Sequence, residues 1–185
     1  MRLIAFLEIL ILWLLWWYPF VFRAPKAQKR DSVTAPGATR FGLLVESLGI
    51  FLVFLFRTFP YPRTGALWLV LSLAVGITGV VLMWSSIAHL GRQFRITAGL
   101  YHDHELITSG PYSIVRHPLY AGLLAMTLST GLLLTDWPWL AVGIAVHLAG
   151  TEIRVRAEDR LLESRFGSKF YAYQKRTPAY VPFVR

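Results

Sequence analysis

Residues 65–88, GALWLVLSLAVGITGVVLMWSSIA, pass through twenty-four positions without a charged side chain. A helix of that length spans a bilayer core of about 30 Å. Residues 3–22, LIAFLEILILWLLWWYPFVF, and residues 41–56, FGLLVESLGIFLVFLF, form two further apolar runs. Residues 118–134 and 139–150 form a weaker pair, split by TDWPW. With 55% hydrophobic residues in 185, the chain is too oily for an ordinary soluble domain. The runs predict an all-α integral membrane protein of about five transmembrane helices, the last two forming a hairpin.

A secretory signal peptide is the competing reading of the first run. That run is longer than an ordinary signal core, and it ends in the aromatic cluster Trp13, Trp16, Trp17 and Tyr18, which suits a membrane interface. It is therefore read as a span.

The net charge of +9 raises the question of nucleic acid, but the placement of the charges answers it differently. If the N-terminus lies outside, segments 23–40, 89–117 and 151–185 share one side. They carry five, three and eight of the 19 Lys and Arg, leaving only Arg2, Arg57 and Arg63 opposite. This asymmetry predicts a cytoplasmic C-terminus and contact with lipid headgroups rather than nucleic acid. The absence of cysteine excludes disulfides, thiolate catalysis and zinc–cysteine sites.

Two functional regions follow. Residues 1–88 supply three N-terminal spans and their loops; residues 89–185 form the part expected to carry chemistry. The latter comprises a long aromatic connection, the helical hairpin 118–150 and a C-terminal tail. Segment 23–40 reads as a polar loop without an assigned role. From Glu152 onward the tail reads as a cytoplasmic amphipathic helix, with Val155, Leu161, Leu162 and Phe166 near one face and a break at Gly167.

Pro118 suits the first position of a helix and displaces the preceding residue from helical geometry. Arg116 and His117 therefore stand at the entrance of the fourth span, where free amides and a full positive charge favour an anion. Tyr120 lies in the first turn, and Gly122 and Ala125 permit close approach by a helix or ligand. Arg154, Glu158 and Asp159 stand near the same mouth, and adjacent acidic groups suit a cationic or polyhydroxyl ligand. The bland alternatives are a helix end anchored in headgroups and a solvated helix face.

Two blocks, HELITSGPYSIVRHPLYAG (104–122) and EDRLLESRFGSKFYAYQKRTPAYVPFV (158–184), carry a resemblance. They are similar to the isoprenylcysteine carboxyl methyltransferase family, with its Thr-Ser-Gly-x-Tyr, Arg-His-Pro-x-Tyr-x-Gly, Glu-Glu, Phe-Gly and closing Pro-Phe elements. Phospholipid N-methyltransferases resemble the chain more distantly. The resemblance covers about the C-terminal 85 residues. It implies a membrane-embedded enzyme using S-adenosyl-L-methionine from the cytoplasm and a lipophilic or prenylated acceptor from the bilayer. By that resemblance His104, Leu106, Tyr112, His117, Tyr120, Glu158 and Asp159 bind the cofactor. Arg116, Arg154 and Glu158 are the catalytic candidates, the arginines orienting a carboxylate of cofactor or substrate. Asp159 departs from the family's second glutamate by one methylene.

The residues agree with that expectation: adenosylmethionine offers a carboxylate to arginine, an amine and ribose to acidic groups, and a sulfonium to aromatic faces. There is no G-x-G-x-x-G of the soluble dinucleotide-binding type. A carboxylate acceptor requires alignment and a dry pocket but no general base; an amine acceptor requires one, for which His117 or Glu158 is the candidate. After carboxylate transfer, the second class is a related transferase methylating a phospholipid amine or small thiol, and a non-enzymatic lipid-binding membrane protein of the same fold is the third. A sterol reductase, usually a much larger chain, is a distant fourth.

His102, Asp103 and His104 offer too few ligands for a metal. His147 lies within the last span, bonding a neighbouring helix or facing a cavity. Glu8 and Glu46 lie about six residues from span ends and are expected to snorkel outward. Ser72, Gly76 and Gly79 are expected at a close helix contact. A prokaryotic cytoplasmic membrane is favoured over the endoplasmic reticulum.

Overall fold

A computed structural model describes residues 2–22, 32–34, 36–59, 61–94, 99–101 and 104–182. The helices are α1 (Arg2–Phe22), α2 (Pro36–Leu55), α3 (Ala66–Leu90), α4 (Pro118–Leu134), α5 (Trp137–Phe166) and α6 (Ser168–Arg176). The protein is thus an all-α, multi-pass membrane protein. Helices α1, α2 and α3 are each long and apolar enough to cross a bilayer, whereas α4 is a shorter apolar helix of 17 residues. Their outer faces expose side chains such as Leu14, Phe51 and Leu67. Lipid accepts such faces because it is as apolar as the side chains themselves.

Helix α2 begins five residues ahead of its apolar run. Pro36 is its first residue, where a missing amide proton is no loss, so the polar turn PGATR joins the helix. The connection before it is also more ordered than a plain loop. Strand β1 (Ser32–Thr34) pairs antiparallel with β2 (Gly99–Tyr101), in the register Val33↔Leu100, and ties the first long connection to the third.

Helix α5 is apolar to Gly150 and charged beyond it, yet it continues without interruption to Phe166. It stops at Gly167, whose φ of 52° lies where glycine alone is unstrained. Helix α6 then turns Phe170 and Tyr173 inward, with Lys169, Lys175 and Arg176 exposed.

The tightest pairings are α2 with α5 and α3 with α4, both antiparallel. Between α3 and α4, a Cβ on Gly79 would meet the Gly122 carbonyl oxygen and Met126. Ser72 and Ser129 exchange hydrogen bonds across the same seam, so the small residues do mark helix packing. At the far end the α2–α3 turn clasps the bend between α4 and α5. The Thr58 amide donates to the Leu134 carbonyl (2.9 Å), and Thr58 Oγ1 donates to Asp136. Arg63 donates to the Leu132 carbonyl (2.7 Å) and to that of Thr135, and stacks on Trp137 at 4.2 Å. The last carbonyls of α4, which have no partner within the helix, are thereby satisfied by a cation.

Candidate active site at one end of the bundle

The sequence GPYS forms a 3-10 turn, Gly110–Ser113, that leads into α4. Gly110 has a φ of 60°, where glycine is unstrained, and a side chain there would also displace the exposed ring of His89. Pro118 then occupies the first helical position, and Tyr120 and Ala121 donate their amides back to the His117 carbonyl. Arg116 and His117 are consequently held just outside the helix, with His117 in non-helical backbone (φ −125°, ψ 64°). Their amides are bonded to Pro178 (2.8 Å) and Ala179 (2.7 Å) from the C-terminal strap beyond α6.

His117 sits between two carboxylates. Its Nε2 is 2.8 Å from Asp159 Oδ1 and its Nδ1 is 3.3 Å from Glu158 Oε2. A neutral imidazole has one N–H, and two carboxylates call for two, so the geometry selects the imidazolium. Burial alone disfavours that charge, but the bonds and charges of Asp159 and Glu158 outweigh it and hold His117 up at about 9. The same balance acts in reverse on the acids. Burial pushes Glu158 and Asp159 up, and the His117 contact more than offsets it, so both lie below the ordinary carboxylate range.

The remaining partners complete a connected network. Arg116 Nη2 donates to Asp159 Oδ2 at 2.9 Å, and its Nη1 donates to the Thr177 carbonyl. Tyr120 donates its hydroxyl to Glu158. The Arg154 guanidinium lies 4.5 Å from the centre of the Tyr120 ring. Tyr173 donates to the Tyr112 carbonyl and so fastens α6 to the 3-10 turn.

These groups border a cavity of about 650 Å³, within the range of roughly 300–1,000 Å³ usual for small-molecule sites. His104, Leu106, Tyr112, Arg116, His117, Tyr120, Arg154 and Glu158 all line it, so the structure brings eight of the nine expected site residues to one chamber. The ninth, Asp159, does not line the chamber; it braces Arg116 and His117 from behind. Glu158 is the half-buried acid that faces inward.

A further, apolar limb of the lining was not anticipated. It is built from the N-terminal helices: Trp13, Trp16 and Phe20 of α1, and Leu43, Ile50 and Phe54 of α2. Each belongs to an apolar run whose composition alone does not separate lipid-facing from cavity-facing positions.

Glu46 is a correction. It does not snorkel: it is fully buried, accepts from Thr151 Oγ1 at 2.7 Å and forms an ion pair with Arg154. The carboxylate points across to α5, which Gly42 and Gly49 allow to approach α2 closely. Glu8 is also turned inward, its Oε1 shut off from solvent. His147 is fully buried against Glu46, 4.0 Å from Oε1, and does not line the cavity. His102 and Asp103 lie outside the described residues; among those described, no three His, Cys, Asp or Glu side chains are grouped to hold a metal ion.

The chain is similar to several known proteins. A protein-S-isoprenylcysteine O-methyltransferase B of Arabidopsis thaliana is 33% identical over 111 residues, covering 58% of this chain and 56% of that protein. A protein-S-isoprenylcysteine O-methyltransferase of Xenopus laevis is 30% identical over 168 residues, 87% of this chain and 57% of that one. The cobalt-zinc-cadmium resistance protein CzcN of Cupriavidus metallidurans is 33% identical over 130 residues, 67% of this chain and 56% of that one. The chain thus spans about half the length of the curated relatives it matches. Residues 70–164 match the sequence profile of the isoprenylcysteine carboxyl methyltransferase (ICMT) family, and it is to this family that the chain belongs.

Proposed function

We propose that the protein transfers a methyl group from S-adenosyl-L-methionine to the carboxylate of a lipophilic acceptor, an S-prenylated cysteine or a molecule like it. One observation carries the reading: a single cavity is lined both by a charged cluster, Arg116, His117, Arg154 and Glu158, and by apolar side chains of α1 and α2. A water-soluble cofactor and a membrane-borne acceptor would meet within it. The relatives' names support the same class of reaction.

The donor set suits the cofactor. Glu158, ionised and facing the chamber, is matched to an amine or ribose hydroxyls; Tyr112 and Tyr120 offer aromatic faces to a sulfonium; Arg116 and Arg154 attract carboxylates. When bound, S-adenosylmethionine supplies the electrophilic methyl group. The chain's own groups position the reactants and exclude water, which is what an in-line displacement asks of a protein. His117 is already protonated and engaged on both nitrogens, and Glu158 is occupied by Tyr120 and His117. Neither of the two candidate bases, His117 and Glu158, is left without a partner, which favours an acceptor that arrives as an anion.

The test is the thermal midpoint of the detergent-purified protein with S-adenosylhomocysteine. Saturation at a hundred times the dissociation constant should stabilise the native state by about 2.7 kcal/mol. Glu158→Ala should lose that shift, and wild type should methylate an S-prenylated cysteine bearing a free carboxylate. A folded wild type with no shift at millimolar ligand would sink the reading.

We further propose that the charged cluster faces the cytoplasm and the N-terminus lies outside. The positive charges of segments 23–40, 89–117 and 151–185 support this. Since the chain lacks cysteine, Phe59→Cys and Ser168→Cys each give a unique label. On intact cells a membrane-impermeant maleimide should modify position 59 and spare 168. The opposite pattern would reverse the topology.

A further inference from the structure

Glu46 is the one fully buried acid of α2, set 108 residues from the arginine it pairs with. A carboxylate within apolar helices is costly unless paired, so its retention beside Arg154 asks for a reason. Packing alone does not supply one. The α2–α5 seam is already closed by Gly42, Gly49, Gly143 and Gly150, and an apolar side chain would fill the space of Glu46 at lower cost.

The other side of Arg154 supplies the reason. Arg154 lines the cavity, whereas Glu46 does not touch it. The guanidinium that Glu46 grips lies over the Tyr120 ring at 4.5 Å, and the Tyr120 hydroxyl donates to Glu158. Glu46 thus stands behind a chain of contacts that ends at the inward-facing acid. It is anchored in turn by Thr151 Oγ1 at 2.7 Å, which fixes its second oxygen.

We infer that Glu46 is a positioning residue for methyl transfer: it acts through Arg154, setting that side chain between Tyr120 and the acceptor. The inference rests on the methyltransferase reading above. It assigns to α2 a part in the reaction, beyond lining the apolar limb.

The experiment is a cycle of Glu46→Gln, Arg154→Gln and the double variant, assayed for transfer to an S-prenylated cysteine and for the S-adenosylhomocysteine thermal shift. Glu46→Gln should lower kcat/KM at least tenfold while keeping the thermal shift, and the double variant should be no worse than Arg154→Gln. Thr151→Val releases one Glu46 oxygen but leaves its pair with Arg154, so it should lose less activity than Glu46→Gln. Glu46→Asp keeps the charge, and with it the fold, while withdrawing it by one methylene; it should show an intermediate loss even if Glu46→Gln does not fold. Full activity in Glu46→Gln or Glu46→Asp overturns the inference, as do losses that multiply in the double variant or a Thr151→Val as impaired as Glu46→Gln. A folded wild type that transfers no methyl group overturns the methyltransferase reading and this inference with it; an active wild type with active Glu46 variants overturns this inference alone.

Discussion

Replacing Asp159 with alanine is expected to destabilise the protein by about 3–5 kcal/mol, the usual cost of leaving a buried charge without its partner. Two cations depend on this carboxylate. Arg116 is bonded to it at 2.9 Å with a side chain 1% exposed, and His117 at 2.8 Å with a side chain 5% exposed. After truncation, among the described residues, the Arg116 side chain retains the Gln174 and Thr177 carbonyls and the His117 side chain retains Glu158. Asp159→Asn should cost less, since the amide oxygen can still accept from one of the two.

The same cluster sets a pH dependence. His117 is raised in the folded state to about 9, from about 6.5 in an unfolded chain. A raised basic group stabilises the fold while protonated, so its contribution is complete below about pH 6.5 and disappears as pH climbs through about 9. Asp159 and Glu158 are depressed, so their contribution is complete above the ordinary carboxylate range and is lost as pH falls below it. Chemical denaturation in detergent micelles from pH 6 to 9.5 should show wild-type stability falling across the alkaline limb. Asp159→Ala should start lower and fall less steeply. A flat wild-type profile over that range, or a variant within about 1 kcal/mol of wild type, would refute the account.

The parts of this molecule that were legible in the sequence are those set by local rules. Pro118 fixes the start of α4, and Gly167 the end of α5, because each restricts backbone geometry at its own position. The segments from His104 to Tyr120 and from Arg154 to Glu158 converge because a helical hairpin returns its second arm to the mouth of the first. What was not legible depends on partners distant in the chain. Nothing near Glu46 states that it faces Arg154 rather than lipid. Glycines at 42 and 49 on the same helical face hint at it, but only once α5 is known to present Gly143 and Gly150 opposite. Asp159 illustrates the converse. Its neighbour Glu158 faces the chamber, and successive helical residues diverge by about 100°, so an acidic pair cannot serve one ligand equally. The pairing of β1 with β2 had no sequence signal, since three residues carry no readable alternation.

The α2–α5 seam makes the last expectation a steric one. A methyl group added at Gly150 would run into the backbone nitrogen and Cα of Glu46, and one at Gly49 into the backbone of His147. Backbone atoms in a packed helix cannot step aside as a side-chain tip can, so Gly150→Ala should force the helices apart. Overpacking of this kind costs about 1–3 kcal/mol, and Gly150→Val should cost more. The displacement has a chemical consequence as well, because Glu46 is carried away from Arg154 and Arg154 from Tyr120. Gly150→Ala should therefore lose transfer activity beyond what its remaining folded fraction explains. Gly37→Ala is the internal control: it lies in the first turn of α2, with nothing within 4 Å of the added carbon. There the substitution should be neutral or stabilising by about 0.4–1 kcal/mol through the unfolded chain. Midpoints from denaturant titrations of the three variants decide the matter. If Gly150→Ala unfolds with wild type, the close approach of α2 and α5 is wrong, and with it the route by which Glu46 reaches the site.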